Sequence, residues 1–389
     1  MYDVTIVGGG PAGAIAAHRA AKAGLSVLVL EKAKYPRDKP CGGGVSQKAL
    51  SVIGKIDKEL VERELFGARI FLSDHRNFTE ILDDRVAITT MRRNLDHWLI
   101  KRAEAAGAVV RDCEGVTDLH VSKDYAEVVT SGNRYRSRIV IGSDGVNSTV
   151  ARKSGIRNRW DDGIGICLEA EVELGETLVE ECVGTEIAEF YFVGDWGYGW
   201  VFPKSDRISI GVGGWKTEIH EPKRFFERFA GDVSRQKGID IKSRIRRVNS
   251  YRIPAGGFDR RIVGDRVLLA GDAAGFVDPF LGEGIYYAMK SGEIAADTVV
   301  DAARDDRFSE EYLQRYVMRC EEEFNYDLRS ALKFANVVYG HQNLFLKILE
   351  RDRRLFREYL RVVRGNRTYT DFNRWCIMRS PVTLARLVI

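Results

Sequence analysis

Cysteine is scarce and scattered. The six residues at 41, 113, 167, 182, 320 and 376 are too few for a disulfide scaffold, and none stand in Cys-x-x-Cys spacing. Structural zinc and thiol exchange therefore lose their usual support. Histidine is equally sparse: His18, His75, His97, His120, His220 and His341 are far apart in sequence, which gives no basis for metal or histidine-based nucleophilic chemistry. Only 8 prolines occur, and no long stretch has the low hydrophobicity that keeps a chain unfolded. Nor does any apolar run approach the roughly 18 residues a membrane-spanning helix needs. Met1-Tyr2-Asp3 leads straight into the strand-like Val4-Thr5-Ile6-Val7, so no signal peptide and a cytoplasmic location are expected.

What is present is enough apolar mass for two or three buried cores: 389 residues, 44% of them hydrophobic. The formal charge of +4 hides an asymmetry. Residues 331–389 hold twelve Lys/Arg (Lys333, Lys347, Arg351, Arg353, Arg354, Arg357, Arg361, Arg364, Arg367, Arg374, Arg379, Arg386) against four acids (Glu350, Asp352, Glu358, Asp371). In that segment Phe345, Leu346, Ile348, Leu349, Leu355, Phe356, Tyr359, Leu360 and Val363 recur at helical spacing, which predicts an apolar stripe opposite a basic face. Such a stripe either packs on its own domain or lies on an anionic membrane surface. No nucleic-acid partner is expected.

The chain opens with an apolar strand, a glycine turn, an alanine-rich helix over 14–23 and a second apolar strand over 26–30 that ends at Glu31. This is a βαβ unit whose continuous apolar runs mark strands buried on both faces. A helix is predicted over 95–106 and a hairpin over 125–141. From about 159 to 252 the period is mostly two, with candidate strands at 169–174, 189–193, 199–203 and 207–212. The parallel type returns at 266–270, a helix starts at Ile285, and the remainder from about 301 reads as helical.

Gly8-Gly9-Gly10-Pro11-Ala12-Gly13 lies between strand and helix, where missing side chains let backbone N–H groups approach a pyrophosphate. Glu31, at the tip of the next strand, is placed to accept from a ribose hydroxyl, so the pair predicts a dinucleotide site. A second element, Ala270-Gly271-Asp272-Ala273-Ala274-Gly275 running on to Gly282-Glu283-Gly284-Ile285, puts an acid after a buried strand and a helix start behind it. Those features suit a ribityl chain and the pyrimidine side of a reduced flavin. Arg92, in Met91-Arg92-Arg93-Asn94, and Asp144-Gly145-Val146-Asn147-Ser148 complete the set.

In this order and spacing the four elements resemble the FAD-dependent fold of the para-hydroxybenzoate hydroxylase type, over roughly residues 1–300. The resemblance implies that Gly8, Gly10, Ala12, Gly13 and Glu31 hold the ADP half of FAD. It further implies that Arg92 reaches the pyrophosphate or ribityl, Val116 contacts the adenine through its backbone, and Asp272, Gly284 and Ile285 hold the ribityl and ring. Lys39-Pro40-Cys41-Gly42-Gly43-Gly44 and Tyr198-Gly199-Trp200-Val201-Phe202-Pro203 resemble the geranylgeranyl reductase family, whose members saturate isoprenoid double bonds and whose archaeal members act on digeranylgeranyl glycerophospholipids. The implied fold class is α/β: a discontinuous Rossmann-like FAD-binding domain (1–62, 84–158, 253–300), an inserted antiparallel-sheet substrate domain (63–83, 159–252) and a C-terminal helical region (301–389).

On a strand, Tyr198, Trp200 and Phe202 point to one side and form an aromatic wall suited to an apolar chain or a transient cation; Trp215 is a further candidate. The alternative is that these rings are simply core. Cys41 is either a packing residue or the proton source that completes alkene reduction, and Gly42 and Gly44 are candidates for a flavin-contacting loop. The expected function is FAD-dependent saturation of an isoprenoid lipid. The rivals are a flavin-dependent aromatic monooxygenase and a non-catalytic flavin- or lipid-binding protein. No second Gly-x-Gly-x-x-Gly follows a strand, which leaves the electron donor open between NAD(P)H and a small redox carrier.

Overall fold

The structure, a computed structural model, describes residues 1–72, 76–192, 197–219 and 221–388, with side chains as far as 379. Two of the histidines, His75 and His220, and Val193 at the end of one expected strand lie outside the described residues. Two compact units share the chain: 1–39, 92–163 and 254–329 form the first, and 40–91, 164–253 and 330–389 the second. Both are discontinuous. The residues 301–389, expected as a separate helical region, are divided between them after Arg329.

The first unit is built on a parallel sheet. Tyr2–Val7 lies between Val27–Leu30 and Arg134–Gly142, and Val109–Arg111 and Val267–Leu269 extend it on either side, all in parallel register. Every residue of Val27–Leu30 is buried, as a strand covered on both faces requires. Ala126–Thr130 and Val116–Val121 add an antiparallel flap to Arg134–Gly142. The helix Pro11–Lys22 packs closely on Ile285–Asp305: a methyl group on Gly292 would stand 2.2 Å from the carbonyl oxygen of Ala12.

In the second unit, seven strands of the described residues form one sheet in the order Asn249–Pro254, Ile164–Glu173, Arg207–Trp215, Gly197–Pro203, Ile187–Phe192, Gly67–Phe71, Asn77–Ile81. Most pairs with a defined register are antiparallel, as the period of two predicts. Ile187–Phe192 and Gly67–Phe71 instead run parallel, because the chain between them leaves to build part of the first unit. The two faces differ. One carries Leu168, Ala170, Val172, Val201, Ile208, Ile210 and Val212, buried under Phe226, Phe229 and Val233 of the helix Pro222–Lys237 and Val179 of Glu176–Cys182. Each Val, Leu, Ile or Phe side chain among them contributes about 1.5–3 kcal/mol by leaving water. These helices interrupt the stretch that reads as pure sheet in the sequence, since a sheet with one apolar face needs a covering layer. The opposite face carries the candidate site.

The basic C-terminal segment begins inside the helix Tyr326–Gly340 and continues as Gln342–Arg351, Arg353–Arg364 and Tyr369–Val388. Its apolar stripe is spent on packing: Leu346, Leu349, Leu355, Phe356, Tyr359 and Leu360 are all buried. Phe356 meets Phe78 edge-on, and Tyr359 lies against Phe334 and Tyr369.

Candidate functional site

The glycine turn of the first unit is shaped by close backbone approach. Gly8 adopts a φ of +94°, and a Cβ on Gly13 would stand 1.9 Å from the Gly8 carbonyl oxygen. Gly10 is the N-cap of Pro11–Lys22 and offers no side-chain cap, so the first N–H groups of that helix keep their donor capacity. Glu31 is 5% exposed and ties the turn down. Its Oε2 accepts from Gly9 N at 3.0 Å and its Oε1 from Ala33 N at 3.1 Å. A carboxylate has about four lone-pair sites, so Glu31 retains capacity for a hydroxyl.

Arg37, which the sequence does not single out, bridges this acid to a second: its Nε lies 3.2 Å from Glu31 Oε2 and its NH1 3.1 Å from Asp96 Oδ2. Arg92 closes a two-point pair with the same Asp96, both hydrogen bonds 2.9 Å long. Arg92 thus stands on the wall of the turn's surroundings, and its reading as a cofactor contact becomes a proposal shared with Arg37. Val116 begins the flap strand two residues after Glu114, whose N–H donates to the Glu31 carbonyl, so the Val116 backbone is held beside the same strand tip.

Asp272 sits in the short turn Gly271–Ala273, its carboxylate 3.8 Å from Lys39 Nζ and 3.6 Å from where a Cβ on Gly284 would lie. Gly284 is the N-cap of Ile285–Asp305, again without a side-chain cap. Asp144 braces the backbone: it accepts from Ser148 Oγ, Thr149 N and Val150 N and so holds the start of the next helix. Its burial raises its pKa. Two uncapped helix starts, a turn in which Gly8, Gly9 and Gly13 have no room for a Cβ, and the acids Glu31 and Asp272 nearby supply the N–H donors and carboxylate acceptors that a dinucleotide with a polar linker could use.

In the second unit the register sets out three cross-strand rows on the face away from the helices. Cys167, Gly213 and Tyr198 form one, Glu169, Gly211 and Trp200 the next, and Glu171, Ser209 and Phe202 the third. Partners across a ladder share a face, so the expected aromatic wall exists, and Trp215 falls on its side of the sheet. Tyr198 and Trp200 have ring centroids 6.1 Å apart, Trp200 and Phe202 6.2 Å, and Phe190 adds a fourth ring 5.4 Å from Phe202. The Cys41–Gly44 loop lies against this wall: a Cβ on Gly42 would stand 3.0 Å from both the Phe202 ring and Trp200 Nε1, and one on Gly44 3.5 Å from Phe202. Cys41, Gly42 and Gly44 therefore belong with the aromatic rings of their own unit.

Beside the wall is a polar cluster that the sequence pattern did not single out. Lys204, 1% exposed, is hydrogen-bonded through Nζ to Glu171. Glu169 receives Asn249 Nδ2 on Oε1 at 3.0 Å and the backbone N–H of Cys41 on the same carboxyl group. Its Oε2 is buried with no hydrogen-bond partner among the described residues. Burial, reinforced by the charge of Glu171 and opposed by Asn249 and Lys204, pushes the Glu169 carboxyl up to about 7. Burial also raises Glu171, against the pull of Lys204. The signal was present: in Leu168-Glu169-Ala170-Glu171-Val172-Glu173 the acids alternate with apolar residues whose face is core, which puts them on the face of the rings.

Residues 1–322 match the family model of the FAD binding domain. The chain is 31% identical to digeranylgeranylglycerophospholipid reductase 2 of Methanopyrus kandleri, over 94% of this chain and 93% of that one. Among solved structures, a geranylgeranyl bacteriochlorophyll reductase-like protein of Thermoplasma acidophilum superposes with a TM-score of 0.78 at 24% identity, covering 99% of this chain and 98% of its own. A halogenase in complex with phloroglucinol and FAD superposes with a TM-score of 0.69 at 18% identity, covering 96% and 85%. These two likenesses are likenesses of fold.

Proposed function

Because the chain belongs to the FAD-binding family of the digeranylgeranylglycerophospholipid reductases, we propose that it is a flavin-dependent reductase that saturates the geranylgeranyl double bonds of membrane ether-lipid precursors. The observation that carries this reading is the shared face of Tyr198, Trp200, Phe202 and Glu169: an aromatic wall with a buried, protonatable carboxyl on the same face, one strand intervening. A row of three rings about 6 Å apart offers an extended apolar surface that a single phenol does not need, and an inert carrier has no need of the acid.

Reduced FAD, when bound, supplies hydride. The chain supplies the rest. Gly8, Gly10, Ala12 and Gly13 let the cofactor's pyrophosphate meet backbone N–H groups, and Glu31 takes the ribose hydroxyls with Arg37 and Arg92 beside it. Asp272 takes the ribityl chain, and the uncapped helix start at Gly284 and Ile285 favours negative charge on the ring. The Tyr198, Trp200 and Phe202 rings orient the isoprenoid chain, exclude water and stabilise positive charge that develops on the alkene.

Among the described residues no helix is long and apolar enough to cross a membrane. We include in the proposal a peripheral contact with the lipid surface. Exposed Leu344, Ile377 and Met378, among exposed Lys347, Arg351, Arg354 and Arg374 of the C-terminal helices, support it.

The test is mass spectrometry of a digeranylgeranylglyceryl phospholipid after anaerobic incubation with dithionite-reduced protein. A gain of two hydrogens per saturated bond is expected, with no dependence on oxygen. Oxygen consumption coupled to hydroxylation of a phenol, with the lipid unchanged, would replace the reductase with a monooxygenase.

A further inference from the structure

Membership of the family leaves open where the proton of each saturation comes from. Addition of hydride to one alkene carbon breaks the π bond, and the other carbon needs a proton that the flavin's hydride does not supply. Water is a poor source inside an apolar wall, so the protein must hold the proton.

Two buried acids of the second unit's sheet show how different its faces are. Glu189, on the helix-covered side, is fully engaged: Arg69 lies at 3.0 Å, Lys237 at 2.7 Å and the Tyr191 hydroxyl at 2.8 Å. Glu169, 5% exposed on the other side, has no cation within ion-pair distance among the described residues and one oxygen without a partner. Its hydrogen-bond donor, Asn249 Nδ2 on Oε1, is a neutral N–H group, and the Cys41 backbone N–H lies close to the same carboxyl. The donor on Oε1 favours the ionised form, burial of the partnerless Oε2 favours the protonated one, and burial is the larger effect.

The Cys41 contact gives that proton somewhere to go. The backbone N–H that touches the Glu169 carboxyl and the thiol Sγ belong to one residue. The Cys41 loop rests against Trp200 and Phe202, the rings read as holding the alkene. Gly211, between Glu169 and Trp200 in the register, has no side chain to separate the acid from the indole.

We propose that Glu169 is the proton reservoir of the reaction, acting through Cys41: the thiol gives its proton to the alkene carbon opposite the hydride, and Glu169 reprotonates the thiolate. This rests on the reductase reading above. The steps balance. The S–H bond breaks as the new C–H bond forms, the O–H bond of Glu169 breaks as S–H re-forms, and the carboxylate recovers its proton from water between turnovers. The two electrons come from reduced FAD alone. The carboxylate left behind is stabilised by the Asn249 and Cys41 N–H groups already in place.

The groups that set its titration are Glu171 on its own strand, Lys204 after Gly197–Pro203, and Cys41 in the loop. The neighbouring strand Asn249–Pro254 presents Asn249 and Tyr251 on this face and Arg252 on the reverse by the alternation of a strand. Arg207–Trp215 presents Ser209 and Gly211, neither of which titrates in this range. Raised to about 7, the Glu169 carboxyl is both protonated and releasable near neutral pH.

The experiment compares wild type, Glu169→Gln and Glu169→Asp as FAD-loaded proteins. Infrared difference spectra of the oxidised, lipid-free proteins are recorded across pH 5–9, and single-turnover saturation of a digeranylgeranylglyceryl phospholipid is followed after dithionite reduction. Wild type is expected to show a protonated-carboxyl band that vanishes near pH 7, absent from Glu169→Gln. Glu169→Gln is expected to keep its flavin and its reduction by dithionite but to saturate the lipid at least about tenfold more slowly, without the fall in rate above neutral pH. Glu169→Asp, which keeps a carboxyl, should recover part of the rate with a shifted pH limb, which a merely structural glutamate would not produce. A wild-type spectrum without the band, or Glu169→Gln turning over like wild type with the same pH profile, overturns the reservoir. Lipid left unsaturated by wild type itself overturns the reductase reading instead.

Discussion

Trp200 lies flat across Gly211, so close that a single methyl group on the glycine would stand 2.1 Å from the indole Cζ2. The two are cross-strand partners, and the missing side chain is what lets a tryptophan lie down on its own sheet. The smooth face that results suits an apolar chain, and it is sensitive to one added carbon.

Gly211→Ala lifts the indole off the sheet. Overpacking of this kind costs about 1–3 kcal/mol. We expect a lower melting temperature and loss of lipid saturation, while the flavin content of the purified protein stays that of wild type. A variant that loses its yellow colour as well would mean that the wall is not confined to substrate.

Gly13→Ala acts on the other unit. The added Cβ meets the Gly8 carbonyl oxygen at 1.9 Å and Ser143 Oγ at 2.6 Å, both held in place by the turn, so the helix start must move away from the glycines. The protein should fold but leave a desalting column with far less flavin per chain. Retention of a full complement of FAD would show that the turn does not carry the pyrophosphate.

Arg37 spans two buried acids, 3.2 Å from Glu31 and 3.1 Å from Asp96, a role for a planar guanidinium rather than a point charge. Arg37→Met removes the cation that pairs with both buried acids. We expect FAD affinity to fall by one to two orders of magnitude in a fluorescence titration, and Arg37→Lys to rescue little of it. Equal affinity for all three proteins would reduce Arg37 to a packing residue.

Glu169 also leaves a mark on stability. A carboxyl whose folded pKa is about 7, above the usual 4.5, binds more protons folded than unfolded between those values. Stability from this group is therefore present at acid pH and lost as pH rises through 7, to a cost of at most about 3 kcal/mol. Glu169→Gln should melt higher than wild type at pH 8.5, with the gap closing toward pH 5. A gap that widens toward acid would mean the carboxylate is the favoured form in the fold.

The cofactor half of the protein was legible because its signals are local. A glycine turn needs Gly8 and Gly13 within a few residues, and Glu31 follows at the end of the very next strand. The aromatic wall was legible for the same reason, since Tyr198, Trp200 and Phe202 alternate on one strand. The basic stripe was legible only as an amphipathic helix: its spacing does not say what covers the apolar side, and here Phe78, Phe334 and Tyr369 cover much of it. Arg37 went unseen because its two partners lie 6 and 59 positions away, and nothing in the spacing says that they converge.

Sequence alone thus determined the elements, the glycine turn and the ring-bearing strand, all of which depend on neighbours along the chain. Which acid becomes a proton store was decided only in three dimensions. Glu169 and Glu189 are the same residue in the same kind of strand. One meets Asn249, a backbone N–H and a glycine, and is held where its proton comes and goes; the other is paired with Arg69 and Lys237. Desolvation and partner charge set that difference, and both are properties of the packed sheet rather than of the letters in it.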